Sequence, residues 1–157
     1  MTDSRVKIVD GSPADLDAVM AVMNESFDPC YGEAWTAPQC AGLLPMPGVW
    51  LTLAERDGEV VGFTLARRIA DEAELLLLAV KGKDQNRGVG RVLLEAFVSS
   101  AADRGARRMH LEVREGNHAV NLYTRAGFTQ VGRRRNYYNG RDGQIYDALT
   151  LARTITA

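Results

Sequence analysis

Apolar residues recur along this chain at two spacings, and the changes from one spacing to the other mark out its elements. A two-residue rhythm through Val6 and Ile8 predicts a short strand. Ser12-Pro13-Ala14-Asp15 then offers an N-cap, a proline for the first helical position and an acid for the first turn. Leu16, Val19, Met20 and Met23 follow at spacings of three and four, so a helix with these residues on its core face is expected to about Ser26. Residues 27–35 read as a loop rich in Pro, Gly and aromatics, after which Thr36 caps a short second helix that stops before Pro45 and Pro47. Two β-rich runs, 49–56 and 59–70, flank Asp57-Gly58, a dipeptide suited to a two-residue hairpin. Residues 73–80 are almost continuously apolar, which predicts a strand buried on both faces near the middle of a sheet. Val89, Val92, Leu93, Ala96 and Phe97 restore helical spacing to about Arg104, where Gly105 supplies a stop. Residues 108–114 alternate as a strand, 119–126 form a short helix ended by Gly127, and 128–135 and 145–151 are two further strands. The order βααβββαβαββ predicts an α+β fold, a central mixed sheet of about seven strands with about four helices on both faces.

The chain has 157 residues and 17.2 kDa and shows no repeat or linker, so a single domain over 1–157 is expected. Its 46% hydrophobic and 25% charged residues are enough to build a core and exclude a disordered chain. Nineteen Lys and Arg against 20 Asp and Glu give a formal charge of −1. No overall field therefore draws the chain to nucleic acid or an anionic membrane, and neither is expected as a partner. The first ten residues lack the apolar core of a secretory signal and no apolar run approaches the ~18 residues of a membrane span. With only Cys30 and Cys40, a cytoplasmic location is expected. Two His and two Cys far apart offer no ligand spacing for a metal, and none is expected.

Charge is nonetheless concentrated locally. Residues 81–91 join the apolar strand to a helix N-terminus, where unpaired N–H groups and a partial charge of ~0.5 e favour an anion. Gly88 and Gly90 remove side chains that would hold a pyrophosphate away, and Lys81, Lys83, Arg87 and Arg91 add cationic reach. The segment lacks the Gly-Lys-Ser/Thr of a P-loop and the third small residue of a dinucleotide fingerprint.

Gln85-x-x-Gly88-x-Gly90 after Leu78-Ala79-Val80 resembles the acetyl-CoA-binding signature of the GNAT N-acetyltransferase superfamily. The resemblance extends through Leu111-Glu112-Val113-Arg114, Asn117, Leu122-Tyr123-x-x-x-Gly127-Phe128, Arg135-Asn136-Tyr137-Tyr138 and Asp147-Ala148. With Glu33-Ala34-Trp35-Thr36 and Gly62-Phe63, it is similar to the RimI branch, the ribosomal-protein-alanine N-acetyltransferases, over roughly residues 5–152. The resemblance implies acetyl-CoA as cosubstrate. Its pyrophosphate would rest on Gln85, Asn86, Arg87, Gly88, Val89, Gly90 and Arg91, and its pantetheine along Leu78, Ala79 and Val80. The thioester would lie in a V where this strand splays from the next. Glu112 matches the general base, Tyr123 the general acid and Asn117 a CoA contact. The interval from Asn117 to Tyr123 is one residue shorter than the usual pattern, which leaves Gly116 or His118 as alternatives to Asn117.

The acceptor implied by the resemblance is the N-terminal α-amine of a protein such as a ribosomal protein, with Trp35, Tyr137 and Tyr138 lining its slot and Glu33 beside Trp35. Amine chemistry agrees: an α-amine titrates near 8 and a Lys side chain near 10.4, so deprotonating Lys at neutral pH costs roughly 3.5 kcal/mol more. A small-molecule amine remains an alternative. A silent acyl-CoA sensor would need neither Glu112 nor Tyr123. Arg133, Arg134 and Arg135 could suggest RNA, but an alternating strand cannot aim three successive side chains one way.

Overall fold

The hairpin at Asp57-Gly58 sets the register of the first half of the sheet. Both residues take left-handed backbone, φ 52° and 79°, as a tight two-residue turn requires, and they join β2 (Val49–Arg56) to β3 (Glu59–Ile69). In the computed structural model, which describes residues 6–85 and 87–155, β1 (Lys7–Asp10) lies antiparallel to β2 and β4 (Glu72–Val80) antiparallel to β3. α3 (Val89–Asp103) carries the chain over to β5 (Arg108–Arg114), which runs parallel to β4. α4 (Ala119–Arg125), β6 (Thr129–Asn139) and β7 (Ile145–Thr154) complete a seven-stranded sheet of order β1-β2-β3-β4-β5-β7-β6. The element order is the one read from the sequence.

α1 (Leu16–Ser26) and α2 (Ala37–Leu43) cover one face, packing Val19, Val22, Met23 and Cys40 on Leu53 and Phe63. α3 and α4 cover the other through Leu94, Phe97 and Tyr123. Both N-terminal helix starts are built by capping boxes, Ser12 with Asp15 and Thr36 with Gln39, which satisfy otherwise orphaned amides. The first differs from expectation in two respects. Pro13–Asp15 form a 3-10 turn before α1 begins, and Val22 is fully buried while Leu16 and Met20 are only partly so.

The larger departure is in β4. Leu65 pairs with Leu77 and Ala66 with Leu75, so Leu76 is an extra residue without a partner in β3. Such a bulge bends a strand, increases its twist and shifts its alternation by one. Ala73 and Leu75 accordingly face α3, whereas Leu77 and Ala79 pack under α1. The strand is not uniformly buried, as its composition suggested: Leu76 and Leu78 are half-exposed. Pairing between β4 and β5 stops at the same place, with Leu75 opposite Leu111. Beyond that point β4 keeps to β3 and β5 keeps to β7, and the sheet opens into a V.

Candidate active site

The V holds a cleft of about 120 Å³ whose walls include Leu76, Leu78, Glu112, Val113 and Tyr123. On its β4 side the strand edge from Leu76 to Ala79 has no partner strand, so its backbone groups are open to a ligand. The end of this edge is closed internally: Ser26 Oγ accepts from the Val80 amide at 3.3 Å, and Gln85 Nε2 donates to the Val80 carbonyl at 3.0 Å. Gln85 thus fastens the turn to the strand that precedes it.

Glu112 is the first residue of β5 past the last pair with β4. Its neighbours Leu111 and Val113 pack on the α3 and α4 side, so by alternation its carboxylate lies on the opposite face. It is only 12% accessible, and both its oxygens are engaged. Thr150, directly opposite on β7, donates to Oε2 at 2.7 Å, and Arg134 Nε lies 3.2 Å from Oε1. Tyr123 reaches the same cleft from α4, on the other side of the sheet. Opening the sheet at Leu76 is what lets a carboxylate on one face and a phenol on the other meet in one space.

Tyr123 is buried, edge-on to Phe128 at 6.2 Å. Desolvation, and then the negative charge of Glu33, push its phenol well above the usual value, so it stays protonated far into alkaline pH. Glu33, in the loop before α2, is 9% accessible and is held from two sides. Arg114 Nε donates to Oε1 at 3.0 Å and Asn117 Nδ2 to Oε2 at 2.7 Å. Asn117 Oδ1 accepts from the Ala119 amide at 2.8 Å. It caps α4, the helix that carries Tyr123, while its side chain lines the cleft. His118 makes no capping hydrogen bond.

Tyr137 and Tyr138 both line the cleft although they are successive residues. Between Arg134↔Ala148 and Tyr138↔Tyr146, three residues of β6 face one of β7, and Asn136 takes φ 57° while its amide donates to Asp147 Oδ1 at 3.0 Å. This bulge breaks the alternation, and the two rings meet edge-to-face at 4.9 Å. Above them the 28–32 loop packs on the β6–β7 turn so closely that neither Gly32 nor Gly140 has room for a Cβ. Tyr31 stacks edge-on to Tyr146 at 5.3 Å, with the Arg114 guanidinium 3.7 Å from the Tyr31 ring centre. Trp35 lines the cleft in the V and also a second, open one of about 540 Å³.

The turn before α3 partly revises the sequence reading. Gly88 is the N-cap in left-handed backbone, φ 84°, with nothing within 4 Å of where a Cβ would lie. Val92 is the first amide to reach a helical carbonyl, Gly88 O at 3.1 Å, which leaves the amides of Val89, Gly90 and Arg91 pointing out of the helix start. Gly90 plays a different part from the one expected. A Cβ there would sit 3.3 Å from Leu122 Cδ2 and 3.9 Å from Leu78 Cδ2, so its small size lets α3 approach α4 and β4. Lys81 is withdrawn from the turn as well: it is buried and bonded to Glu59 at 2.8 Å. Lys83 approaches the same carboxylate at 3.5 Å, which leaves Arg87 and Arg91 exposed beside the helix start. Asn86 lies outside the described residues. Ala79 and Val89 are buried by their side chains and have only backbone to offer.

The sequence profile of the Acetyltransferase (GNAT) family matches residues 16–128. The chain belongs to this family. Among curated GNAT relatives, the [ribosomal protein bS18]-alanine N-acetyltransferase of Escherichia coli K12 is 37% identical over 102 residues, 64% of this chain and 68% of that one. The enzyme of the same name from Haemophilus influenzae is 33% identical over 96 residues, 61% of this chain and 66% of that one. The matched stretch thus spans about two thirds of these relatives. Solved structures agree over more of the chain. The ribosomal-protein-S18-alanine N-acetyltransferase of E. coli superposes with a TM-score of 0.86 at 29% identity, covering 97% of this chain and 95% of that one. Ard1 from Thermoplasma volcanium gives 0.83 at 27% identity, covering 97% and 99%.

GNAT enzymes use acetyl-CoA, and the geometry suits it. The outward amides of Val89, Gly90 and Arg91 and the bare Gly88 accommodate a pyrophosphate, and the unpaired Leu76–Ala79 edge accommodates the amides of a pantetheine arm. Among the described residues no cluster could hold a metal ion, and no helix is long and apolar enough to cross a membrane.

Thr150, Arg114 and Arg134 were not singled out as site residues by their sequence context. The signal for Thr150 was its position opposite Glu112, which requires the β5–β7 register. Arg114 sits two residues after Glu112 and so on the same face.

Proposed function

We propose that the chain acts as one domain that transfers an acetyl group from acetyl-CoA to the N-terminal α-amine of a protein, with a ribosomal protein as the best-supported acceptor. The observation that carries this reading is the meeting of Glu112 and Tyr123 in the cleft where β4 and β5 part. The second cleft, opening from the first past Trp35, Glu74, Leu76 and Tyr137, is larger than an isolated small amine needs and offers room for the chain that follows the amine.

Acetyl-CoA brings the acetyl group as a thioester. Glu112, fixed by Thr150, takes the proton of the acceptor ammonium, which frees the nitrogen lone pair for attack on the carbonyl carbon. As the carbon–sulfur bond breaks, Tyr123 donates a hydrogen bond to the departing sulfur. A thiol titrates near ~8.5 and an ordinary phenol near ~10, and Tyr123 lies above that ordinary value. Complete transfer of its own proton would be uphill. Tyr123 therefore acts as a donor and relay, with the proton released by the amine ending on sulfur.

This assignment has a pH signature. A phenol held above its usual value keeps its proton throughout the working range, so the one fall in kcat/KM expected below about pH 10 is that of the acceptor itself, as the ammonium that Glu112 deprotonates is depleted near ~8. Tyr123→Phe should lower kcat by about 10- to 100-fold without changing that limb. A further descending limb below pH 10 that Tyr123→Phe removes would overturn the protonated-donor role.

The experiment that tests the function itself is acetyl-CoA consumption with peptides carrying different first residues, against N-terminally blocked lysine peptides and polyamines. Turnover confined to free N-termini supports the reading. Equal turnover with polyamines would favour a small-molecule acceptor.

A further inference from the structure

Of the two side chains described on Glu112, Thr150 and Arg134, Arg134 is the one that belongs to the second cleft. It lines the open second cleft together with Leu43, Ile69, Glu72, His110 and Tyr137, whereas Glu112 lines the inner one. The pair therefore spans the boundary between the two. Its ends are unequal: the Arg134 side chain is 61% accessible and the Glu112 side chain 12%. Arg134 stands on the edge strand of the sheet, just before the β6 bulge at Asn136.

We propose that the Arg134 guanidinium occupies, in the free enzyme, the place on Glu112 that the acceptor's ammonium takes during catalysis, so that Arg134 is a gate the acceptor must displace. This rests on the reading of Glu112 as the group that receives the amine's proton. An ammonium and a guanidinium carry the same charge and compete for the same carboxylate, one oxygen of which already accepts from Thr150 at 2.7 Å. A pair with one end in solvent is weakly held. Arg134 also has somewhere to go: its guanidinium already lies 5.5 Å from the Tyr137 ring centre, and moving onto that ring would keep a favourable contact. The second cleft opens onto the first past Trp35, Glu74, Leu76 and Tyr137. An acceptor chain comes in through the second cleft and meets Arg134 first. Glu74 is already matched there by Arg67 at 2.8 Å and Glu72 by Arg108 at 3.4 Å, so neither carboxylate replaces Glu112 as a partner for Arg134 without breaking a pair.

The gate lowers the apparent affinity for the acceptor by the fraction of time it is closed and leaves the chemical step alone. Steady-state kinetics of the full chain with an alanine-initiated hexapeptide test it. Arg134→Gln should lower the peptide KM by about three- to tenfold, with kcat and the acetyl-CoA KM within about twofold of wild type. Arg134→Lys, which keeps the charge, should retain the wild-type peptide KM. In a Glu112→Gln background the effect of Arg134→Gln on peptide KM should vanish, because the two act through one contact. An unchanged or raised peptide KM in Arg134→Gln, with transfer by Glu112→Gln lowered about 10²-fold, would overturn the gate and leave the role of Glu112 standing. Full activity in Glu112→Gln would overturn both.

Discussion

Replacing Glu112 by Gln is expected to lower acetyl transfer to an N-terminal peptide by about 10²-fold or more, the range for loss of a general base, while CoA affinity stays within about twofold. The isosteric amide keeps the Thr150 contact, since Thr150 can donate to the remaining carbonyl oxygen. It cannot accept the ammonium proton. Because Glu112 lies on the face of the sheet opposite α3 and α4, its change leaves the turn at Gly88 untouched. Direct titration with CoA and single-turnover transfer separate the two quantities. Lost CoA binding with normal turnover by the bound fraction would remove Glu112 from the base role.

The second large effect is expected at Gly90. Gly90→Glu should weaken CoA binding by at least about 10²-fold, about 2.7 kcal/mol. Its carboxylate would either be buried among Leu122, Leu78 and Val80, where an unpaired charge is strongly disfavoured, or turn back onto the outward amides that the pyrophosphate needs. Gly90→Ala is the control. Its methyl would meet the end of the Leu122 side chain at 3.3 Å, which a flexible leucine relieves, so CoA affinity should change only a few-fold. Calorimetric titration of both variants, with circular dichroism to verify folding, gives the comparison. Wild-type CoA affinity in a folded Gly90→Glu variant would sink the placement of the pyrophosphate on this helix start.

The contrast between Gly88 and Gly90 shows where sequence reading reached and where it stopped. Both were legible as glycines required at a strand-to-helix turn. Only Gly88 serves the open side, because its φ of 84° and empty surroundings are properties of the local backbone. What Gly90 faces depends on α4, more than 25 residues further along. The same division runs through the fold. The Asp57-Gly58 hairpin and the Ser12 and Thr36 caps were readable because turn and cap chemistry acts over two to four residues. The extra residue at Leu76 was invisible, since it exists only relative to the pairing of β3 with β4. Among candidate site residues, Glu112 and Tyr123 were reached through their motifs. The two groups found on Glu112, Thr150 across the β5–β7 ladder and Arg134 from the edge strand, follow from which strands lie side by side. Arg133 and Arg134, read as neighbours in a basic run, part company in the fold: one is bound to Glu115 and Asp147, the other to Glu112.

A sheet edge ordinarily lies on the perimeter of a protein, where it must be guarded against pairing with other chains. The bulge at Leu76 instead places one inside, walled by β5 and α4. What that interior edge presents to a cofactor is main-chain N–H and C=O, which every residue except proline carries in full. Positions 76–79 can therefore exchange one side chain for another with little effect on that part of recognition. If the pantetheine arm lies along it as proposed, a residue-by-residue comparison of sequences would underrate this strand, whose part in binding would be written in its path rather than in its letters.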